Sequence, residues 1–260
     1  MTLSPALNSS RLNRFARHIV LPEVGGAGQM ALSEAHIVMI GCGGIGSPAL
    51  QYLAGAGVGR LTLIDSDMVE ESNLQRQTIF TPDDIGQPKA SAAARWVARF
   101  DPAIAVRGVV ERVASSNAAE LLDGATLVLD GCDNFATRLA VSDACIQARV
   151  PLASAAIGRF QGQVANFAGH LQGQACYRCF VGDAFDADDC DTCAADGVLG
   201  AMAGMIGCFA AMSAIRIVLE SRSALGDPQW GKLHLFDGLG PSLRTLTIAR
   251  DPGCRGCSGS

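Results

Sequence analysis

The sequence has few aromatic and few charged residues. Phenylalanine, tyrosine and tryptophan make up 5% of the 260 residues, and charged residues make up 17%. The formal net charge is −5, and no long run of lysine or arginine occurs, which argues against nucleic acid as a partner. Hydrophobic residues nevertheless reach 49%. The chain therefore has enough apolar surface for a folded core, and disorder is not expected.

Signals for export or membrane insertion are missing or weak. The first 22 residues lack the apolar segment of a signal peptide, although their arginines, serines and lack of acids also fit an organelle transit peptide. Residues 197–215 carry no charge, but they are mostly glycine, alanine and methionine without flanking aromatic residues. We interpret them as a buried core helix rather than a membrane span. We expect a cytoplasmic protein without a membrane partner.

Cysteine, by contrast, is abundant and patterned. Six of the ten cysteines form three C-x-x-C pairs, which are Cys176/Cys179, Cys190/Cys193 and Cys254/Cys257. Without an export signal, such pairs are more typical of metal or redox sites than of disulfides. Two pairs can supply the four thiolates of a structural zinc site, and spacing alone does not choose which two.

The local charge favours one combination of these pairs. Several aspartates surround Cys190 and Cys193, and negative neighbours raise a thiol pKa. We therefore combine Cys176 and Cys179, which we place on a strand-like segment, with Cys254 and Cys257 as the zinc ligands. Of the remaining cysteines, Cys42, Cys132, Cys145 and Cys208 are expected to be packing residues.

Apolar runs alternate with helical patterns along the first 156 residues, which predicts a parallel sheet with crossover helices. Predicted strands are 36–41, 60–65, 104–110, 125–130 and 151–156, and predicted helices are 46–56, 88–99 with Pro88 in its first turn, 115–122 and 134–148. Segments 160–168 and 230–249 resemble hairpin strands around a long helix at 197–220. The expected fold is a single α/β domain over residues 1–260, Rossmann-like, with a parallel N-terminal half and an antiparallel C-terminal extension.

A glycine-rich turn follows the first predicted strand. Gly41, Gly43 and Gly46 have G-x-G-x-x-G spacing, and Gly44 adds a further position without a side chain. Such glycines let the backbone approach a phosphate at a helix N-terminus. Asp65 ends the second strand, where an acid typically accepts hydrogen bonds from ribose hydroxyls. These features serve NAD and ATP equally.

The polar loop after Asp65 favours ATP. It offers Asn73, Gln75 and Arg76, and Lys89 follows at the start of a helix. A planar guanidinium and a mobile ammonium are the groups that hold a triphosphate, whereas the helix N-terminus usually suffices for the two phosphates of NAD.

Acidic residues follow the fourth predicted strand. Asp130 and Asp133 lie at the carboxyl end of a parallel strand, where ligands bind. A carboxylate beside a triphosphate indicates Mg²⁺. Asp133 and Asn134 also have the residue types of a helix cap.

Taken in order, these motifs resemble a known family. GCGGIG, LTLIDSD, SNLQRQ, GQPK, DGCDN, CYRC and PGCRGC are similar to the ThiF/MoeB-type adenylyltransferases, bacterial enzymes that activate ubiquitin-like sulfur carriers. The resemblance runs from about Arg14 to Cys257. It implies ATP-dependent adenylylation of the C-terminal Gly-Gly carboxylate of a carrier from molybdopterin or thiamine synthesis, with zinc and Mg²⁺ as metals.

The resemblance also implies roles for individual residues. Nucleotide contacts are expected from Gly44, Asp65, Ser72, Asn73, Leu74, Gln75, Arg76, Lys89, Asp133 and Asn134. The catalytic groups are expected to be Arg76, Lys89 and the magnesium ligand Asp133, together with Arg17, which relatives supply across a homodimer. A cysteine at the position of Cys193 forms a covalent link to the carrier in some relatives and is dispensable in others, so both outcomes stay open.

Other functions remain as alternatives. One is a non-catalytic sensor module that binds NAD, and another is a branch of the same family that modifies tRNA. The acidic composition and the cysteine pairs disfavour the tRNA branch. We expect any persulfide donor to be a separate protein.

Overall fold

The fold is built on one mixed β-sheet with helices on both faces. The computed structural model describes residues 9–182, 197–220 and 222–258. Its strands are β1 (His36–Ile40), β2 (Arg60–Ile64), β3 (Ala105–Val109), β4 (Leu127–Asp130), β5 (Leu152–Gly158), β6 (Gln161–Phe167), β7 (Lys232–Asp237) and β8 (Ser242–Thr247). They lie in the order β3-β2-β1-β4-β5-β6-β7-β8.

Helices connect and cover the strands. They are α1 (Ser9–Arg14), α2 (Ala16–Ile19), α3 (Gly25–Glu34), α4 (Gly46–Ala56), α5 (Lys89–Phe100), α6 (Ala118–Leu121), α7 (Phe135–Ala148), α8 (Tyr177–Val181) and α9 (Gly200–Val218). Two short 3₁₀ turns, Glu71–Asn73 and Pro82–Asp84, lie in the loop between β2 and α5.

The direction of the strands changes halfway across the sheet. Strands β1 to β5 pair in parallel, and β6, β7 and β8 continue the sheet as antiparallel neighbours. The predicted fold class, with its parallel N-terminal half and antiparallel extension, is confirmed. The five predicted parallel strands lie within two residues of the observed bounds. Four of them are apolar runs that are largely buried, as is typical of a parallel sheet, whereas the edge strand β3 is mostly exposed.

Two apolar clusters form the core, one on each side of the sheet. Successive residues of β1 alternate between them: Ile37 and Met39 join the cluster that contains residues of α4, α5 and α9. Val38 and Ile40 join the cluster that contains residues of α7. This alternation follows from the two-residue repeat of a strand.

Helix α9 is the uncharged segment that resembled a membrane span. It is 19 residues long and apolar enough to cross a membrane by length and composition. Ten of its residues, among them Ala203, Ile206 and Ala210, are buried, and the helix packs against α4, β5 and β6. Its buried face agrees with our interpretation as a core helix.

Three local expectations were wrong. The predicted helix at 115–122 is only the four-residue α6, and Pro88 is the N-cap of α5 rather than a residue of its first turn. Cys176 and Cys179, which we placed on a strand-like segment, lie at the start and within the short helix α8. Tertiary contacts decide such short segments more than their local preferences do.

The basic N-terminal segment packs on the rest of the chain. Arg11 and Arg14 both form ion pairs with the buried carboxylate of Asp101. Phe15 is 2% exposed and lies against Gly57, where a Cβ would be 2.3 Å from the ring. Arg11 and Arg14 therefore help to hold the N-terminal segment on the rest of the fold.

Candidate functional site

A cavity opens at the carboxyl ends of the parallel strands. Strands β1 and β4 are neighbours, but the chain visits β2 and β3 before it reaches β4. Such a reversal of strand order leaves a crevice in which open α/β sheets bind ligands. The cavity measures about 610 Å³, and residues that follow β1, β2 and β4 line it together with residues of α8.

The glycine turn forms one wall of this cavity. Gly41 has a φ of 87°, and a Cβ on Gly46 would lie 2.0 Å from the carbonyl oxygen of Gly41. Side chains are therefore excluded where the turn folds back onto the start of α4. Gly43 and Gly44 line the cavity, and the exposed N–H groups of a helix N-terminus favour an anion there.

Asp65 lies at the end of β2 and lines the same cavity. Its Oδ2 accepts a hydrogen bond from the backbone N–H of Cys42 at 2.7 Å, and its Oδ1 accepts one from that of Asp67 at 2.8 Å. Burial raises the pKa of Asp65, and these two hydrogen bonds oppose the rise. The carboxylate is held in a fixed orientation, as an acceptor for ribose hydroxyls requires.

Two cations reach the cavity from the segment after β2, one from its loop and one from the first residue of α5. Lys89 Nζ lies 3.0 Å from Asp67 Oδ2, and the lysine side chain is 9% exposed. Arg76 Nη1 donates to the carbonyl oxygen of Ser72 at 2.9 Å. A Cβ on Gly44 would lie 3.5 Å from Arg76 Cδ. Both cations line the cavity, and Arg76 lies directly beside the glycine turn.

The acids after β4 have different surroundings. Asp133 is exposed and lines the cavity. Asn134 also lines it, and its Oδ1 caps α7 by accepting from the backbone N–H of Thr137 at 2.9 Å. Asp130 is fully buried. Asp133 is therefore the carboxylate from this segment that is open to a cation in solution.

Four cysteines come together on the other side of α8. The sulfur atoms of Cys176, Cys179, Cys254 and Cys257 all lie within 4.8 Å of one another. The Cys176–Cys254 and Cys179–Cys257 sulfur distances are both 3.5 Å. A tetrahedral zinc ion with sulfur at about 2.3 Å would place the sulfurs about 3.8 Å apart. The structure thus joins the two pairs that we combined, in an arrangement that fits zinc.

Comparison with known proteins agrees with this geometry. The model of the ThiF family matches residues 15–256. The chain belongs to the ThiF family. It is 40% identical over 249 residues to the sulfur carrier protein adenylyltransferase of Thermus thermophilus, covering 95% of this chain and 90% of the relative. It is 38% identical over 251 residues to the molybdopterin-synthase adenylyltransferase of Salmonella typhimurium, covering 96% and 98%.

Solved structures show the same fold. The crystal structure of Escherichia coli MccB with MccA-N7isoASN superposes with a TM-score of 0.82 at 21% identity, over 97% of this chain and 76% of that chain. At this identity the likeness concerns the fold alone. The family match and the two relatives confirm the resemblance to ThiF/MoeB-type adenylyltransferases that the motifs indicated.

Part of the SNLQRQ segment does not reach the cavity. Ser72 and Gln75 are exposed, Leu74 is half-buried against the core, and none of them lines the cavity. Asn73 is buried, and its Oδ1 accepts from the backbone N–H of Glu70 at 3.2 Å. In this structure these residues shape the turn that delivers Arg76.

Two other predicted residues lie away from the cavity or outside the description. Arg17 is exposed on α2 and is not among the residues that line the cavity of its own chain. Cys193, like Cys190, lies outside the described residues.

The surroundings of the remaining cysteines are those of packing residues, except that Cys132 also lines the cavity. Cys42 and Cys145 are buried, and Cys132 and Cys208 are partly buried. Burial raises the pKa of Cys42, Cys132, Cys145 and Cys208. Raised thiol pKa values leave little thiolate for chemistry at neutral pH.

Sequence reasoning missed several polar side chains that line the cavity, among them Gln77, Arg112, Arg138 and Gln163. The sequence positions of two of them, Arg138 and Gln77, could have indicated a place in the site. Arg138 lies four residues after the cap Asn134, so it shares a helix face with the cavity, and Gln77 directly follows Arg76. Arg112 and Gln163 belong to a loop and a strand without a motif.

Arg138 is, with Lys89, a buried cation of the site. Its Nη1 lies 3.4 Å from Asp130 Oδ2 and donates to Ser154 Oγ at 3.1 Å. Its Nη2 donates to the carbonyl oxygens of Ala155, at 2.8 Å, and of Cys132. Burial by itself would lower the pKa of Arg138, but Asp130, Cys132 and Tyr177 together outweigh it and raise the pKa. The pair joins α7 to the ends of β4 and β5.

We predict that Arg138→Met lowers the free energy of unfolding by about 3–5 kcal/mol, because it leaves the Asp130 carboxylate buried without a counter-charge. Urea denaturation followed by circular dichroism measures the change. The double variant Asp130→Asn, Arg138→Met is the matched control and should lose less than Arg138→Met alone. If the free energy of unfolding of Arg138→Met lies within about 1 kcal/mol of the wild-type value, the pair is not important for stability.

Proposed function

We propose that this chain catalyses the ATP-dependent adenylylation of the C-terminal Gly-Gly carboxylate of a ubiquitin-like sulfur carrier protein. The observation that carries the proposal is the position of Lys89 and Arg76 on the wall of one cavity with the glycine turn and Asp65. Two cations beyond the helix N-terminus match the charge of a triphosphate better than that of the two bridged phosphates of NAD.

The proposed reaction needs positioning and charge neutralisation. A carboxylate oxygen of the carrier attacks the α-phosphorus of ATP, a new P–O bond forms, and the bond to the bridging oxygen breaks. Pyrophosphate leaves with that oxygen, and the products are pyrophosphate and an acyl adenylate that a sulfur donor can convert to a thiocarboxylate. No proton moves in this step, so the site needs cations and orientation rather than a general base.

The residues of the cavity divide this work between them. Asp65, with both oxygens oriented, accepts from the ribose hydroxyls. Lys89 neutralises the phosphates while it keeps Asp67, because an ammonium has three donors. Arg76 supplies a second positive charge beside the turn. The exposed carboxylate of Asp133 fits a role as protein ligand to Mg²⁺, which adds positive charge to the phosphates when bound.

Exchange of radiolabelled pyrophosphate into ATP tests this function. We expect exchange that depends on a Gly-Gly carrier, and we expect Lys89→Met to lower it by about 100-fold or more because charge stabilisation of the leaving pyrophosphate is lost. Arg95→Met is the matched control, since Arg95 pairs with Asp84 at the surface with 49% of its side chain exposed. The control should keep wild-type exchange.

Other results would favour the alternatives. Thermal protection by NAD and not by ATP would identify the sensor module, and exchange stimulated by tRNA instead of a carrier would identify the tRNA-modifying branch. Intact mass of each carrier after incubation with ATP and Mg²⁺ distinguishes the molybdopterin-synthase small subunit from the thiamine carrier.

We also propose that the four-cysteine cluster holds one structural zinc ion. The cluster is closed, because its four thiols fill a tetrahedral coordination shell, and three of them are buried. The ion ties the segment around α8 to the C-terminal residues 254–257.

We predict that the purified protein contains one zinc ion per chain and that Cys257→Ser loses the metal, because a structural site needs all four thiolates. Elemental analysis measures the content, and differential scanning calorimetry should show a lower melting temperature after chelation. Cys208→Ser, outside the cluster, is the control and should keep its zinc. Equal zinc in both variants would refute the assignment.

A homodimer that shares its sites is a further part of the proposal. Around Arg17, the apolar residues Val20 and Leu21 are 69% and 46% exposed. Helix α3 packs against both α2 and α9, and α9 exposes Met205 and Met212. Exposed apolar groups on neighbouring helices are typical of a protein interface. A second copy bound there would bring Arg17 toward its partner's cavity.

Subunit mixing tests the contribution of Arg17. Arg17→Ala and Lys89→Met should each be inactive, but refolding them together in equal amounts should restore about a quarter of the sites, because half of the dimers then hold one complete site. Carrier-dependent pyrophosphate exchange measures the recovery. Mixed dimers that form and stay inactive would show that Arg17 does not act across the interface.

Three further expectations belong to the same function. We propose that the protein is cytoplasmic and that a separate protein supplies the persulfide sulfur. A covalent link between Cys193 and the carrier should appear in the intact mass of the wild type and be missing in Cys193→Ser. If the wild type and Cys193→Ser give the same adenylated carrier and neither forms the covalent link, Cys193 is dispensable.

A further inference from the structure

Gln77 has a side-chain amide that the fold itself leaves unused. The residue is 3% exposed and lines the cavity. Its Oε1 is buried and has no hydrogen-bond partner among residues 9–182, 197–220 and 222–258. Nearly all buried polar groups in native proteins are paired. An unpaired one in the wall of a cavity therefore points to a donor that a ligand brings.

The position of this amide is fixed by its neighbours. The backbone N–H of Gln77 donates to the carbonyl oxygen of Asn73 at 3.0 Å. Two residues later, the backbone N–H of Ile79 donates to Ser47 Oγ, in the first turn of α4, at 3.1 Å. A Cβ on Gly43 would lie 3.5 Å from Gln77 Nε2. The amide is thus held directly over the glycine turn.

The chemistry of the two substrates decides which group can pair with Oε1. The phosphate oxygens of a bound nucleotide accept hydrogen bonds and can pair with Nε2, but they cannot donate to Oε1. The donors of the nucleotide are its ribose hydroxyls, which we assign to Asp65, and its adenine amino group, and neither belongs at the glycine turn that holds the phosphates. The carrier tail is a peptide, and each of its non-proline residues carries a backbone N–H. Attack requires the terminal carboxylate at about 3–3.5 Å from the α-phosphorus, which brings the N–H of the last residue to the same place.

We propose that the Gln77 amide holds both substrates at once: Nε2 donates to an α-phosphate oxygen, and Oε1 accepts from the backbone N–H of the carrier's terminal residue. This inference rests on the proposed function and extends it to a residue that determines specificity for the tail. An uncharged amide suits this role because it carries a donor group and an acceptor oxygen in a single plane. Gln77 therefore selects a terminal residue that carries an N–H.

A semisynthetic carrier tests the contact at a single atom. Its last peptide bond is replaced by an ester, so the terminal glycine N–H becomes an oxygen while the carboxylate is kept. We expect the ester to lower kcat/KM for the carrier about tenfold in the wild type, the effect of losing one hydrogen bond to a buried acceptor. In Gln77→Met the two carriers should differ less than about twofold.

Two further measurements separate this contact from other roles. Gln147→Met, at an exposed position on α7, is the matched control and should discriminate between the carriers as the wild type does. The melting temperature of Gln77→Met should not fall, because no internal partner of Oε1 is lost. A marked fall would indicate a structural role and overturn the inference.

The outcomes also distinguish the inference from the function beneath it. Carrier-dependent exchange with the same amide-to-ester ratio in the wild type and Gln77→Met overturns only the tail contact. If Gln77→Met loses affinity for ATP in calorimetry but still discriminates between the amide and ester carriers, the tail contact is likewise overturned and the proposed function is not. Absence of carrier-dependent exchange in the wild type overturns the proposed function, and the inference falls with it.

Discussion

The buried guanidinium of Arg138 is the constraint on which the far side of the cavity depends. It contacts Asp130 at the end of β4, the carbonyl of Cys132 in the following loop, and Ala155 on β5. Tyr177, the residue next to Cys176, is among the groups that raise its pKa. A single buried charge thus fixes the loop that carries Asp133 and the wall formed by α8. Because a buried cation without its acid is costly, this arrangement has few alternatives.

Charge on the near side of the cavity is arranged in advance. Lys89 is almost fully buried and already paired with Asp67, whose side chain is 54% exposed. Asp65 is held by two backbone N–H groups. A site whose charged groups are oriented before binding needs little reorganisation when a polyanion arrives. The fold, rather than the ligand, therefore meets most of the cost of bringing these charges together.

The sheet and the main features of the site could be predicted from sequence because they depend on local patterns. Apolar runs marked the parallel strands, and the spacing of Gly41, Gly43 and Gly46 marked the turn. The acids around Cys190 and Cys193 were enough to choose the other two cysteine pairs, which the structure brings together. In each case the deciding residues are close in the chain, so their pattern carries the information.

The remaining features depend on contacts between distant segments. Nothing near Arg138 in sequence shows that its guanidinium turns inward to Asp130 and Ala155. The 3₁₀ turn at Glu71–Asn73 directs Arg76 and Gln77 inward and leaves Ser72 outside, and a polar loop gives no periodic sign of this. Helix α8 has the β-branched and aromatic residues of a strand, but the burial of Tyr177 among Phe135, Phe167 and Phe180 sets its conformation instead.

The cysteine cluster joins residues that are 78 positions apart. The chain between them contains α9, β7 and β8, so nearly a third of the polypeptide forms a closed ring whenever the four sulfurs share an ion. Closing so long a ring removes many conformations from the unfolded chain. A chelator that withdrew a shared ion would open the ring, and the folding of the antiparallel half would then respond to the supply of metal.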